Sequence, residues 1–275
     1  MPTAIPRERF ASLHLPGVRI GALPVEPLRR LPTGIGALDE LLGGGLPRGH
    51  LSEIVGGPSS GRTALLHALL ASATQRGEVT AVVDLPDALD PPSLARAGVD
   101  LARVLWVRPP SPQAAVKCAE LILAAGGFGL LALDGLEARA LRASSGRALR
   151  PYSGPALGRD SWQGARPLPQ HVWSRLAQVA RRAGAVCLVC APRRNAGGAA
   201  AVALTLTQRR AGWNGRLFEG ITTTAVLTRS RFGPAERAID VAFGAWLGAR
   251  GEVNVAPLQG MRGSGEEAVV QRAIA

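Results

Sequence analysis

Lysine is all but missing from this chain. Lys117 is the only one, yet Lys and Arg together number 32 against 20 Asp and Glu, leaving a formal net charge of +12. The basic excess is therefore arginine. Its planar fork suits phosphate oxygens, so the charge fits contact with nucleic acid, although base composition of the encoding genome produces the same bias. Aromatic residues make up 4% of the chain, with one tyrosine, which argues against a sandwich of aromatic-rich hairpins. Abundant Ala, Val and Leu favour helices and fully buried parallel strands. Cysteine is scarce too: Cys118, Cys187 and Cys190 sit in apolar stretches. Cys187 and Cys190 have the spacing of a metal or redox pair, but residues three apart on a strand point to opposite faces, so core packing is the expectation. Histidines His14, His50, His67 and His171 lack ligand spacing, which disfavours metal catalysis. No apolar run is long enough to cross a bilayer, and residues 1–13 carry no hydrophobic signal region. A reducing, cytoplasmic location without a membrane is expected. With 47% hydrophobic residues in 275, the chain suits one large α/β domain with extensions rather than disorder.

Three segments are read along the chain. Residues 1–30 form an N-terminal arm interrupted by Pro2, Pro6, Pro16, Pro24 and Pro27, with one short helix around Arg7 to Leu13. Residues 31–250 form the core, and 251–275 form a C-terminal tail that is polar apart from a short helical stretch at Glu266 to Ile274. Within the core, strands are expected at 51–55, 79–84, 104–107, 129–134 and 185–191, and helices at 35–42, 62–76, 114–125 and 172–183. Such alternation predicts α/β architecture, a mostly parallel twisted sheet with helices on both faces. Segments 201–206, 222–227 and 238–243 lack intervening helices and are expected to add antiparallel strands at one edge.

The most specific motif is Gly56-Gly57-Pro58-Ser59-Ser60-Gly61-Arg62-Thr63, placed between an apolar strand and a helix. This is the context of a phosphate-binding P-loop. Glycines let backbone N–H groups wrap phosphate oxygens, the helix N-terminus adds free donors, and Thr63 offers a hydroxyl to Mg2+. Gly56, Ser59, Ser60, Gly61, Arg62 and Thr63 are the candidate nucleotide-binding residues. Arg62 stands where the motif has lysine. It keeps the charge but brings a flatter, bulkier head. A second carboxylate for the metal belongs at the end of a neighbouring strand, where Asp134 ends the run Gly129-Leu130-Leu131-Ala132-Leu133. A bare Gly-rich turn and an ordinary strand-ending aspartate are the plainer alternatives.

The stretch from Leu31 to Asp134 resembles the RecA recombinase core, through Pro32-Thr33-Gly34, Leu38-Asp39, Gly44-Gly45-Leu46-Pro47 and the segment from Asp84 to Pro91. The resemblance implies a RecA-like P-loop fold. It also implies a water-orienting catalytic glutamate just after the strand ending at Asp84, where this chain has Pro86. Proline cannot do that work, and the neighbouring Asp87 is shifted by one residue. No catalytic residue is therefore assigned, and the chain is expected not to be an enzyme beyond weak ATPase activity. No cofactor is required; ATP with Mg2+, held by Thr63 and Asp134, is the one the loop would accept.

The resemblance further implies two DNA-binding loops. The first spans Ala138 to Gln170 and carries Arg139, Arg142, Arg147, Arg150, Arg159 and Arg166 with Tyr152 and Trp162 interleaved, against Asp160 alone. Basic forks beside aromatic faces suit single-stranded DNA, while abundant Pro, Gly and Ser also fit a solvated linker. The second, Pro192 to Ala200, holds Arg193 and Arg194 and lacks the glutamine through which the family senses nucleotide. These departures together resemble ImuA, the RecA-like accessory family of SOS-induced mutagenic translesion synthesis. That resemblance implies RecA, the polymerase-like ImuB and an error-prone polymerase subunit as partners. In the arm, Phe10, Leu13 and Leu15 are the apolar anchors expected to dock on RecA. The competing readings are a DNA-dependent ATPase of the RecA or RadA type and a division inhibitor, the latter having no need of the Arg-rich segment.

Overall fold

A computed structural model describes residues 28–136, 168–214 and 216–244. The expected arm helix, anchors Phe10, Leu13 and Leu15, and tail lie outside these residues. So do Arg139, Arg142, Arg147, Arg150, Tyr152, Arg159, Asp160, Trp162 and Arg166 of the first loop.

The described chain runs β1 (Arg30–Leu31), α1 (Gly36–Leu42), β2 (Leu46–Pro47), β3 (Leu51–Val55), α2 (Arg62–Gln75), β4 (Val79–Asp84), α3 (Pro91–Arg96), β5 (Val104–Val107), α4 (Pro112–Ala125), β6 (Phe128–Asp134), α5 (Gln170–Ala183), β7 (Val186–Ala191), β8 (Val202–Asn214), β9 (Leu217–Ser230) and β10 (Arg237–Gly244). β1 and β2 form a small antiparallel ribbon, and the other strands form one sheet in the order β10-β9-β8-β3-β7-β6-β4-β5. From β8 to β5 every pairing is parallel; β9 and β10 add antiparallel pairs. The fold is α/β as the sequence predicts. One detail differs: the strand expected at 201–206 joins the parallel set beside β3, and it and its hairpin partner are much longer than their apolar centres.

Strand side chains alternate between two apolar cores, because successive residues on a buried parallel strand face opposite sides. One face packs Ile54, Val82, Leu130, Ala132, Val186, Leu188 and Cys190 with buried leucines of α1 and α2. The other packs Leu51, Ala81, Val83, Leu131, Leu133, Cys187 and Val189 with α4 and α5. Cys187 and Cys190 thus lie on opposite faces, both buried and free. Burial pushes the Cys187 thiol up to about 12 and holds Cys190 well above the ordinary thiol range. Neither forms a thiolate at neutral pH.

Helix ends follow local chemistry. Ser111 and Asp90 accept from the amides of Ala114 and Ser93, capping α4 and α3, each with proline in the first turn. Arg48 and Glu78 make a two-pronged ion pair, at 2.9 and 2.6 Å, between the segments leading into β3 and β4. Gly45 permits a turn no other residue would fit: its φ is +116°, and an added Cβ would lie 2.7 Å from Pro32 Cα, with Leu31 closer still.

Candidate nucleotide and nucleic-acid site

Parallel order brings the C-terminal ends of β3, β4, β6 and β7 to one edge, where ligands of open α/β sheets bind. Asp84 lies level with Asp134, Asp134 with Cys190, and Val55 with Ala191. The phosphate loop leaves this edge directly. Gly56 N–H donates to Ala191 O at 3.0 Å, Ser60 N–H to Gly57 O at 3.2 Å, and Leu65 N–H to Gly61 O at 2.9 Å as α2 begins. Ser59 is left-handed at φ +57°, a conformation a non-glycine residue adopts chiefly where the surroundings impose it. No side chain caps the N-terminus of α2, whose first turn carries no acidic residue. Its end therefore keeps donors and a positive dipole for an anion. A cavity of about 310 Å³ opens over Gly57 to Ala64.

Side chains adapt this cradle in unusual ways. Arg62 Nη1 donates to Gly56 O at 2.6 Å, so the guanidinium bends back onto its own loop. Thr63 is exposed, and Ser60 Oγ is buried with no hydrogen-bond partner, close beneath Gly56. The antiparallel strands reach over as well: Ile221 lines the cavity, and a Cβ on Gly61 would stand 2.8 Å from the Phe243 ring. With φ at +89°, Gly61 is required on both counts. Backbone and cavity fit a phosphate group, with Thr63 and Asp134 as the residues that would hold Mg2+. Among the described residues no group of three or more His, Cys, Asp or Glu side chains could hold a metal ion by itself.

The neighbouring carboxylates differ in duty. Asp84 is buried and occupied: it accepts from Ala88 N–H at 3.2 Å, Leu89 N–H at 2.9 Å and Trp106 Nε1–H at 3.2 Å. It shapes the turn after β4. Pro86 lies in that turn against the residue following Asp134; a Cβ on Gly135 would meet Pro86 Cδ at 2.5 Å. Asp87, left-handed at φ +56°, stands 3.6 Å from Arg108. Asp134 has its carboxyl pushed up by burial and by Asp84, with Arg62 and the Gly135 amide opposing. In the folded state it holds its proton more tightly than in the unfolded chain. Its contribution favours folding at low pH and fades as pH rises from the ordinary carboxylate value through the raised one. Urea unfolding between pH 4 and 7.5 should show Asp134→Asn gaining stability over wild type as pH increases. A difference that stays flat would mean burial does not strain this carboxylate.

The first residue of α5, which also ends the segment read as the first loop, reaches the second loop at Ala196. Gln170, at the end of the first, donates from Nε2 to Ala196 O at 2.9 Å. Arg193 and Arg194 are exposed in the second, which is braced on several sides. Glu53 Oε1 accepts from the amides of Asn195 at 2.8 Å and Ala196 at 2.7 Å. Arg229 Nε donates to Ala200 O at 2.8 Å, and Arg231 donates to Gly198 O. Glu53, Gln170, Arg229, Arg231, Ile221 and Phe243 were not singled out by sequence reasoning. A glutamate inside the apolar run of β3 was the one readable signal, since such a charge is rarely buried without a partner.

Residues 17–146 match the RecA N-terminal domain, beginning inside the stretch read as an arm. Over 122 residues, 44% of this chain, identity is 37% to Protein RecA of Streptomyces avermitilis, 36% to that of Bifidobacterium breve and 38% to that of Thermus thermophilus; these cover 32, 31 and 36% of the respective relatives. The chain thus spans about a third of the length of the curated relatives it matches. Among the described residues no helix is long and apolar enough to cross a membrane. By its sheet order, its phosphate loop and the similarity over residues 17–146, this chain has a RecA-like core.

Proposed function

We propose that this chain is a RecA-like accessory protein of the ImuA type, acting in SOS-induced mutagenic translesion synthesis as a binding and assembly component in the cytoplasm. The observation that carries the reading is the turn after β4. Pro86 fills the position that the RecA resemblance gives to a water-orienting glutamate, Asp84 is spent on the turn itself, and Asp87 faces Arg108. Arg62, bent onto Gly56, adds support. Phosphate can be gripped here, by the N–H groups of Gly57, Ser59 and Gly61 with Arg62 and Thr63, without a base aimed at water. When bound, Mg2+ would supply charge neutralisation between phosphates.

DNA, single-stranded by preference, is the second ligand, with RecA, an ImuB-like polymerase homologue and an error-prone polymerase subunit as protein partners. Arg139, Arg142, Arg147, Arg150, Arg159 and Arg166 supply phosphate contacts on one loop, Arg193 and Arg194 on the other. Phe10, Leu13 and Leu15 supply the RecA contact. If about four phosphates are engaged, affinity falls steeply between low and physiological salt. Replacing Arg142, Arg147 and Arg150 with Ala should weaken binding of every sequence alike, by roughly tenfold or more at low salt, and flatten the salt dependence by about three contacts. Unchanged affinity in a fluorescence-anisotropy titration would make that segment a passive linker. The similarity to RecA proteins favours one other reading, a DNA-dependent ATPase of recombinational repair, which turnover measurements separate from this one.

A further inference from the structure

Glu53 lies in the centre of the sheet, its side chain fully buried, on the strand that feeds the phosphate loop. One oxygen is satisfied by the Asn195 and Ala196 amides. The other, Oε2, has no hydrogen bond, and its nearest cation is Arg194, whose Nε stands 3.8 Å away with the side chain 41% exposed. That separation is an ion pair without a hydrogen bond. A buried carboxylate oxygen has little water to replace a departing cation, so the interior resists losing Arg194 to another anion. Arg193, one residue earlier, is exposed and has no ion pair among the described residues.

We propose that Glu53 is a positioning residue that sets the loop at 192–200 and restrains Arg194 from nucleic-acid phosphate, so that the loop's two arginines are unequal ligands. The inference rests on the nucleic-acid reading above. It makes the affinity of this loop a property of a strand beneath the phosphate loop, through one charge rather than through any contact with DNA.

The test uses the full chain and labelled oligo-dT, titrated by fluorescence anisotropy at several salt concentrations with wild type, E53Q, R193A, R194A and the E53Q/R194A pair. With its restraint removed, E53Q should bind about threefold tighter, as for loss of a modest ion pair, with a salt dependence steeper by about one contact. R194A should cost about threefold more in the E53Q background than in wild type. Equal costs in the two backgrounds, or an E53Q no tighter than wild type with the Asn195 and Ala196 amides still protected from hydrogen exchange, would overturn the assignment. Should E53Q loosen the loop, the single variants decide with Glu53 intact: R193A should cost more affinity and more salt dependence than R194A, and equal losses would overturn it. If R193A weakens binding while E53Q, its loop amides still protected, gains nothing, Glu53's role falls and the nucleic-acid reading stands. If neither wild type nor E53Q binds the oligonucleotide, the nucleic-acid reading itself fails and this inference with it.

Discussion

Purified protein should hydrolyse ATP at background, whether or not single-stranded DNA is present. A positioned base contributes roughly 10² to 10⁴ in rate, and the turn that would carry it is built from Leu85, Pro86 and an Asp87 facing Arg108. Asp84 cannot be recruited instead, because withdrawing it would strand the Ala88 and Leu89 amides and the Trp106 indole together. Nucleotide binding and turnover should therefore separate. A fluorescent nucleotide analogue can report the first, and phosphate release the second. Stimulated turnover on the order of 1 per second, abolished by Asp134→Ala, would defeat the assembly-factor reading and promote the DNA-dependent ATPase.

Trp173→Ala should be the most damaging single change in the second core. Trp173 is 1% exposed, in the cluster that also holds Leu136, Ala196 and Ala200. Truncating so large a buried side chain costs about 3 to 5 kcal/mol, because the cavity closes only in part. Trp173→Phe separates volume from polarity. The buried indole N–H has no hydrogen-bond partner, so phenylalanine forfeits packing alone and should cost about 1 to 2 kcal/mol. Denaturant unfolding gives both numbers. A loss within about 1 kcal/mol for alanine would mean that α5 and the loop at 192–200 do not depend on this side chain.

Sequence pattern was most legible where burial and period agree. β3 and β4 run as expected because their residues are buried, largely apolar strands bounded by turn chemistry, and Cys187 and Cys190 part to opposite faces because strand geometry leaves no choice. The long hairpin was legible only in its middle. Towards the hairpin end the strands leave the core, with Trp213, Leu217 and Phe218 exposed, and β8 and β9 are held there by ladder pairing rather than by a buried face, so no buried stripe marks them in the sequence. α3 escaped notice because it is six residues long and opens on two prolines. Of the site, the phosphate loop was readable from local spacing. Its cover was not: Ile221 and Phe243 come from strands more than 150 residues away, and no local pattern encodes that meeting.

The placement of β3 has a consequence during synthesis. This strand emerges early and is entirely buried, yet both its neighbours come late: Leu51 pairs with Cys187, and Ser52 with Val202, 150 residues further on. At about 5 to 20 residues per second, a nascent chain carries β3 for roughly 7 to 27 s before Cys187 is made, with neither edge occupied. An apolar strand with open edges is a template for the wrong partner. A RecA-like core of this order is therefore exposed to mispairing during synthesis for longer than its final stability alone would suggest.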